Sequence, residues 1–287
     1  MALISQLRYR PVREDGWSLR VDSDSWSPAL WQAVLAKIQE QVPSRHPQTI
    51  KFNWPERQRQ NYFLKIYHSE SGWTAVKDWF RVSKARRFLE QGIALADVGF
   101  LAPPAVAAGE KRHFGILKTA FVLTAALDGA ALTSFLKENA GGTNAALSVV
   151  EKRAALKALA RQVRRFHDLG FVHGDLVASN IFVCRDAAMN LHFVFMDNDR
   201  TRRYPTWLPQ SLWKRNLVQL NRLPLSSISL QDRIRFFQEY SATEAATLNR
   251  RLLQWLEQKT RERRRECDAV DATISFRQLM RSSTESH

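Results

Sequence analysis

The chain has 287 residues, 45% hydrophobic and 25% charged, and its 43 Lys and Arg against 28 Asp and Glu give a formal net charge of +15. Nine tryptophans and sixteen phenylalanines exclude a disordered chain, and 11 glycines with 10 prolines exclude collagen-like and low-complexity ones. The longest charge-free apolar runs, such as 119–127, fall well short of the roughly 20 residues a spanning helix needs, and the opening MALISQLRYR lacks the basic-then-apolar layout of a secretory signal.

In chain order, 25–41 reads as a short helix with a Ser-Pro start, and 49–67 as strands around a polar turn at 56–60. Alternation along 61–67 puts Phe63, Lys65 and Tyr67 on one face. A basic helix is expected over 76–98, ended by Gly99 and the Pro103-Pro104 break, then two strands within 114–127, a turn at Asp128-Gly129 and a helix beginning at 130–136. Residues 139–144 read as a loop. The clearest element is a helix at 149–169. Leu156, Leu159, Val163 and Phe166 make one apolar stripe, and Gly170 stands where a left-handed residue stops a helix. Phe171-Val172 and a polar loop through Asn180 come next, then strands at 181–183 and 191–196. Beyond Pro209 the chain reads as helical, with Leu248, Leu252, Trp255 and Leu256 as a further stripe. The order is a mixed half followed by a helical half with one embedded hairpin.

Cys184 and Cys267 stand far apart with no C-x-x-C, which reads as two reduced thiols and no zinc site. A soluble, cytoplasmic protein is expected. The excess positive charge falls in clusters at 81–87, 161–165, 200–203 and 261–265. Such clusters suit an anionic membrane surface, a phosphorylated substrate or nucleic acid, or are solvated helix faces. Nucleic acid is disfavoured, because no stacking motif or zinc-finger spacing accompanies them.

The chemistry concentrates in His-Gly-Asp-Leu-Val-Ala-Ser-Asn-Ile-Phe-Val, 173–183. An Asp, an Asn five positions on, and a hairpin ending in another Asp form a phosphoryl-transfer pattern when a helix precedes them. Asp175 is placed to orient an attacking hydroxyl and accept its proton. Asn180 offers a neutral oxygen and Asp197 a charged one to a magnesium ion, which takes few protein carboxylates and keeps several waters. Taken singly, an Asp-Asn pair is an ordinary turn cap; it is the whole string that points to catalysis.

His173 to Asn180, followed by Met-Asp-Asn-Asp-Arg at 196–200, resembles the lipopolysaccharide kinases that phosphorylate Kdo or heptose in the inner core of Gram-negative lipopolysaccharide. The resemblance runs from about Lys65 to Tyr240 and includes Arg-Asn-Leu-Val-Gln-Leu-Asn-Arg at 215–222. It implies an α+β, two-lobed protein-kinase-like fold, with a small mixed N-lobe over 1–126 and a mainly helical C-lobe over 127–287. It implies ATP and Mg²⁺ as cofactors, an inner-core saccharide as acceptor, and peripheral contact with the cytoplasmic face of the inner membrane. By the same resemblance Lys65 clamps the ATP phosphates, Glu90 on the following helix pairs with it, and His173 braces the catalytic loop. Asp199 is the second choice for the metal: on an extended end it would face the same way as Asp197, so one would bind metal and the other orient Arg200.

The chain also departs from the kinase pattern. No glycine occurs between Gly16 and Gly72, so no Gly-x-Gly-x-x-Gly covers the phosphates, and Arg57 and Arg59 in the 56–60 turn are the substitutes at hand. Gly174 stands where regulated protein kinases carry Arg, and no Ala-Pro-Glu follows Asp197. Both absences weigh against a regulated protein kinase, although an atypical one stays open. An aminoglycoside- or choline-type phosphotransferase shares the catalytic string, but its cationic substrates call for an acidic rim. Here Arg200, Arg202 and Arg203 suit an anionic acceptor. A pseudokinase or basic nucleic-acid-binding module is the alternative without catalysis, and it predicts damage to Lys65, Asp175, Asn180 or Asp197, all of which are present.

Overall fold

The computed structural model describes residues 8–44, 46–54, 60–69, 81–138, 149–186, 188, 190–207, 211–222, 228–242 and 250–266. The chain divides into two compact units, Met1–Leu132 with Asn180–Arg202, and Thr133–Ser179 with Arg203–His287.

The first unit is built on a six-stranded antiparallel sheet. Strands β1 (Tyr9–Glu14) and β2 (Trp17–Asp22) form a hairpin whose turn residues, Asp15 and Gly16, both have positive φ, as a two-residue turn matched to the strand twist requires. The sequence signal was there in Asp-Gly followed by alternating Trp17, Leu19 and Val21. Helix α1 (Pro28–Gln39) starts at the expected Ser-Pro: the Ser27 hydroxyl accepts from the Leu30 N–H at 3.2 Å. Strands β3 (Gln48–Trp54) and β4 (Gln60–His68) pair antiparallel; the 56–60 turn with Arg57 and Arg59 lies outside the described residues apart from the backbone of Gln60.

Helix α2 covers Lys84–Asp97, with Ser83 as its cap. Of the basic helix expected over 76–98, 76–80 lie outside the described residues, and 81–83 are not helical. The two strands expected within 114–127 are a single one, β6 (Ile116–Ala125), and its partner is β5 (Ala105–His113). Phe114 and Gly115, both at positive φ, make the turn between them. The order across the sheet is β1-β2-β5-β6-β4-β3. One face buries Trp17, Trp26, Trp31, Leu64 and Phe121 with α1; the other buries Tyr67, Ala120 and Val122 with Ala85, Phe88 and Leu89 of α2. Burying rings of this size dominates the stability of such a unit.

After the Asp128-Gly129 turn come the short β7 (Ala130–Ala131) and α3 (Leu132–Glu138). The second unit is carried by α4 (Val149–Asp168), whose expected stripe of Leu156, Leu159, Val163 and Phe166 is buried. Gly170 ends it at φ 82°; a Cβ there would meet the Tyr204 carbonyl oxygen at 2.1 Å, so no other residue fits. Strand β8 (Phe171–Val172) leads to the catalytic loop.

The hairpin of β9 (Ile181–Arg185) and β10 (Leu191–Phe195) belongs to the first unit, because β9 pairs with β7 and Val194 bridges Leu101. Beyond it lie α5 (Leu212–Leu220), α6 (Leu230–Tyr240) and a helix over 250–266. In that helix Leu252 and Leu256 are buried, but Trp255, 37% exposed, reaches the surface at the edge of the expected stripe, under the Lys214 ammonium. Leu248 and Cys267 lie outside the described residues, and Cys184 carries a free thiol. No helix among the described residues is long and apolar enough to cross a membrane.

Candidate functional site

Within the first unit the charged groups gather where β4, α2 and the end of β10 meet. The strand alternation puts Lys65 beside Tyr67 on the face that α2 covers, and the Lys65 ammonium lies 5.5 Å from the Tyr67 ring centre. Lys84, the first residue of α2, places its own ammonium 5.9 Å from the same ring. Lys65 forms an ion pair with Asp197. This proximity was not visible in a sequence separation of 132 residues.

The open end of the β9–β10 hairpin brings Asn180 and Asp197 to one edge. Ile181 pairs with Phe195, and the Met196 N–H donates to the Asn180 carbonyl at 2.8 Å, so the two candidate ligands flank the last rung. Asp197 itself has φ 58° and ψ 46°. A left-handed conformation is uncommon outside glycine, though Asp tolerates it better than most, and such residues concentrate at functional sites. It turns the chain directly into a 3₁₀ turn over Asn198–Arg200, so the extended ending expected of 197–199 does not occur. Buried Asn198 holds the turn, donating from Nδ2 to the Phe195 carbonyl at 2.7 Å and accepting from the Thr201 hydroxyl.

Asp199 is buried, and burial, followed by repulsion from Asp197, pushes its carboxyl above the ordinary range. Lys65, Arg200 and Lys84 oppose that push. Burial and the same two carboxylates hold the Tyr67 phenol protonated, and among the described residues its buried hydroxyl has no hydrogen-bond partner. Two close carboxylates, one of them buried, are hard oxygen donors of the kind magnesium takes, a cation between them relieves the repulsion, and Asn180 on the adjoining rung is the amide candidate. Asp197, Asp199 and Asn180 therefore fit such an ion, although the described residues contain no cluster of three or more His, Cys, Asp or Glu.

Glu90 is not brought to Lys65. It lies on the exposed side of α2 and accepts from Arg86 Nε at 2.8 Å, one helical turn away. The reason is the helix register: Ala85, Phe88 and Leu89 face the sheet, so position 90 points off that stripe. The residue facing Lys65 is Asp197. Arg200, Arg202 and Arg203 are all exposed.

In the second unit the catalytic loop is held from below by α5. His173 is fully buried, and its Nδ1 accepts from the Asp175 backbone N–H at 3.1 Å, an arrangement that fixes the loop backbone rather than moving a proton. Asn216 grips the same residue twice, accepting from the His173 N–H at 2.9 Å and donating from Nδ2 to its carbonyl. Gln219, one turn on, accepts from the Leu176 N–H at 3.1 Å and donates to the Gly174 carbonyl at 3.3 Å. The backbone on both sides of Asp175 is thus clamped by two amides. These two residues sit in the 215–222 segment, where the sequence offered a pattern and no role; amides spaced one turn apart on a helix were the available signal.

Asn216 also faces His167, whose other ring nitrogen lies 2.9 Å from the Tyr240 hydroxyl. Burial pulls the His167 pKa down to about 4, against a smaller opposing pull from the Asn216 bond. The unfolded chain takes up this proton near pH 6.5 and the folded chain only near 4, so the unfolded state binds more protons in between and stability falls as pH drops through that window. The full loss is about 3 kcal/mol. Urea unfolding of the wild type should show it below about pH 6.5, and His167→Gln should flatten it; equal pH slopes for the two proteins would contradict the assignment.

A profile of the lipopolysaccharide kinase (Kdo/WaaP) family matches residues 34–240, which include Lys65, the catalytic loop, the hairpin and Asn216. No curated protein matches the sequence. Among solved structures, WaaP in complex with acyl carrier protein is similar to this chain with a TM-score of 0.61 at 20% identity, over 88% of this chain and 98% of that one. The shared architecture is the protein-kinase-like fold, an antiparallel sheet followed by helices. From within α1 to the last residue of α6, the chain belongs to the lipopolysaccharide kinase (Kdo/WaaP) family.

Proposed function

We propose that this protein is an ATP-dependent kinase that phosphorylates a hydroxyl of Kdo or heptose in the lipopolysaccharide inner core, working at the cytoplasmic face of the membrane. The observation that carries the reading is the family match over a segment that retains Lys65, Asp175, Asn180 and Asp197 together. Magnesium-bound ATP supplies the phosphoryl group and screens its charge. Asp197 and Asn180 would hold the metal, with Asp199 as the further candidate ligand. Lys65, paired with Asp197 in this structure, would clamp the ATP phosphates. Asp175 orients the acceptor hydroxyl and takes its proton as the new O–P bond forms and the bond from the γ-phosphorus to the bridging oxygen breaks, releasing ADP. Charge neutralisation and positioning do most of the work, as in phosphoryl transfer generally. Arg200, Arg202 and Arg203 suit a Kdo carboxylate or an existing core phosphate.

The test is transfer of label from γ-labelled ATP, with magnesium, to purified lipopolysaccharide fractions that lack or carry Kdo and heptose phosphates. Labelling of one truncated acceptor is expected and identifies its sugar. Labelling of none, with ATP binding intact by calorimetry, would overturn the acceptor assignment in favour of small molecules or protein. Absence of ATP binding would overturn the kinase reading itself.

A further inference from the structure

Two helices of the second unit, α4 and α6, lie side by side, joined by Lys152 to Asp232 at 3.2 Å and by Arg161 to Glu239 at 2.6 Å. Between their outer faces runs an open groove of 690 Å³, lined chiefly by Val150, Arg153, Ala154, Lys157, Arg235 and Gln238. Its acidic residue, Glu239, is already neutralised by Arg161. Arg235 reaches the buried Asp232 only at 3.4 Å, a carboxylate it shares with Lys152. Among the described residues neither Arg153 nor Lys157 has an acidic partner. At the helix starts beside these cations, Val149, Val150 and Leu230 are each more than three-fifths exposed, and Ile234 more than one-third.

This pattern differs from the basic run that stands out in the sequence. Along 257–266, Arg261 pairs with Glu257, Lys259 with Glu262 and Arg263 with Glu266, and Arg264 donates to the Asn221 carbonyl. That run is a solvated, largely self-compensated helix face. The α4–α6 groove combines uncompensated cations with exposed aliphatic side chains, and the two features call for a ligand that is anionic and apolar within a few ångströms.

We propose that the α4–α6 groove docks the chain on the anionic surface of a lipid bilayer, with Arg153, Lys157 and Arg235 meeting lipid phosphates while Val149, Val150, Leu230 and Ile234 enter the headgroup layer. The lining favours lipid over a protein partner: among the described residues it has none of the tyrosine, tryptophan, phenylalanine or methionine anchors that carry protein interfaces. Cations beside small aliphatics are what an interfacial surface presents to phospholipid. The proposal rests on the kinase reading for the membrane location and adds the surface that docks; docking is measured without nucleotide or acceptor, so its failure is told apart from failure of that reading.

The experiment is co-sedimentation of the full chain with vesicles of phosphatidylcholine alone and of equal parts phosphatidylcholine and phosphatidylglycerol, at low and high salt. Binding is expected only to the anionic vesicles and should weaken with salt. Removing two cations in Arg153→Gln/Lys157→Gln should weaken it about thirtyfold, and Val149→Ser/Val150→Ser about tenfold. All four positions are at the surface, so thermal unfolding should be unchanged and a folding defect is told apart from lost docking. An Arg261→Gln/Arg265→Gln variant should bind as the wild type does. The proposal is overturned if the wild type ignores anionic vesicles, if the groove variants bind undiminished, or if only the 261/265 variant loses binding.

Discussion

Replacing Asp175 by asparagine should lower phosphoryl transfer about a thousandfold while leaving ATP binding nearly intact. The size follows from the proposed role. A positioned base contributes roughly 10²- to 10⁴-fold, and the amide keeps the shape while losing the ability to take the hydroxyl proton. The fold should survive, because the described bond that ties Asp175 to His173 runs from its backbone N–H and not from the carboxylate. Single-turnover rates at saturating ATP are the measurement, with calorimetric ATP binding as the control. A rate close to that of the wild type would remove Asp175 from the chemistry. A parallel loss of ATP affinity would mean that the carboxylate serves the nucleotide instead.

The second large effect is expected far less obviously, at Asn216. Asn216→Ala strips the partner from the His173 N–H and carbonyl and from one ring nitrogen of His167, all buried, and from the part-buried Gln219. Leaving a buried polar group unpaired costs about 1–3 kcal/mol each, with partial relief where water enters. A total near 3 kcal/mol, or about 5 °C in Tm, is a reasonable expectation. Transfer should fall as well, because the loop that carries Asp175 loses its clamp. Asn216→Asp separates the two contributions: it keeps the acceptor for the His173 N–H and loses the donor to the carbonyl, so it should recover only part of the stability. Gln219→Ala touches less buried groups and should cost about 1 kcal/mol. If Asn216→Ala unfolded at the wild-type temperature, the clamp would have no energetic content.

The two predictions come from different layers of information. Asp175 can be proposed as the base from the sequence because the motif that suggests it is a contiguous string, legible without knowledge of packing. The same holds for the apolar stripe of α4, the Ser-Pro start of α1 and the stop at Gly170, since helical period, caps and positive φ are local properties. Local signals also misled. Phe114-Gly115 reads as part of an apolar run, yet it is the turn that makes β5 and β6 partners. Trp255 sits on the helical period of a buried stripe, but it reaches the surface below a lysine.

By itself the sequence determined the kind of chemistry, the alternation that sets Lys65 beside Tyr67, and the helical character of the second half. Each of these depends on neighbours within a few residues. Tertiary structure alone decided which acid meets Lys65, because a strand and a hairpin end 132 residues apart are joined by sheet pairing and not by any local rule. It put Glu90 on the outside of α2, since one apolar stripe had to face the sheet. It gave Asn216 and Gln219 their task, for a side-chain amide shows what it binds only once a buried backbone is laid against it. It also separated the self-paired arginines of the 250–266 helix from the uncompensated cations of α4, a distinction fixed by where the carboxylates fall in space.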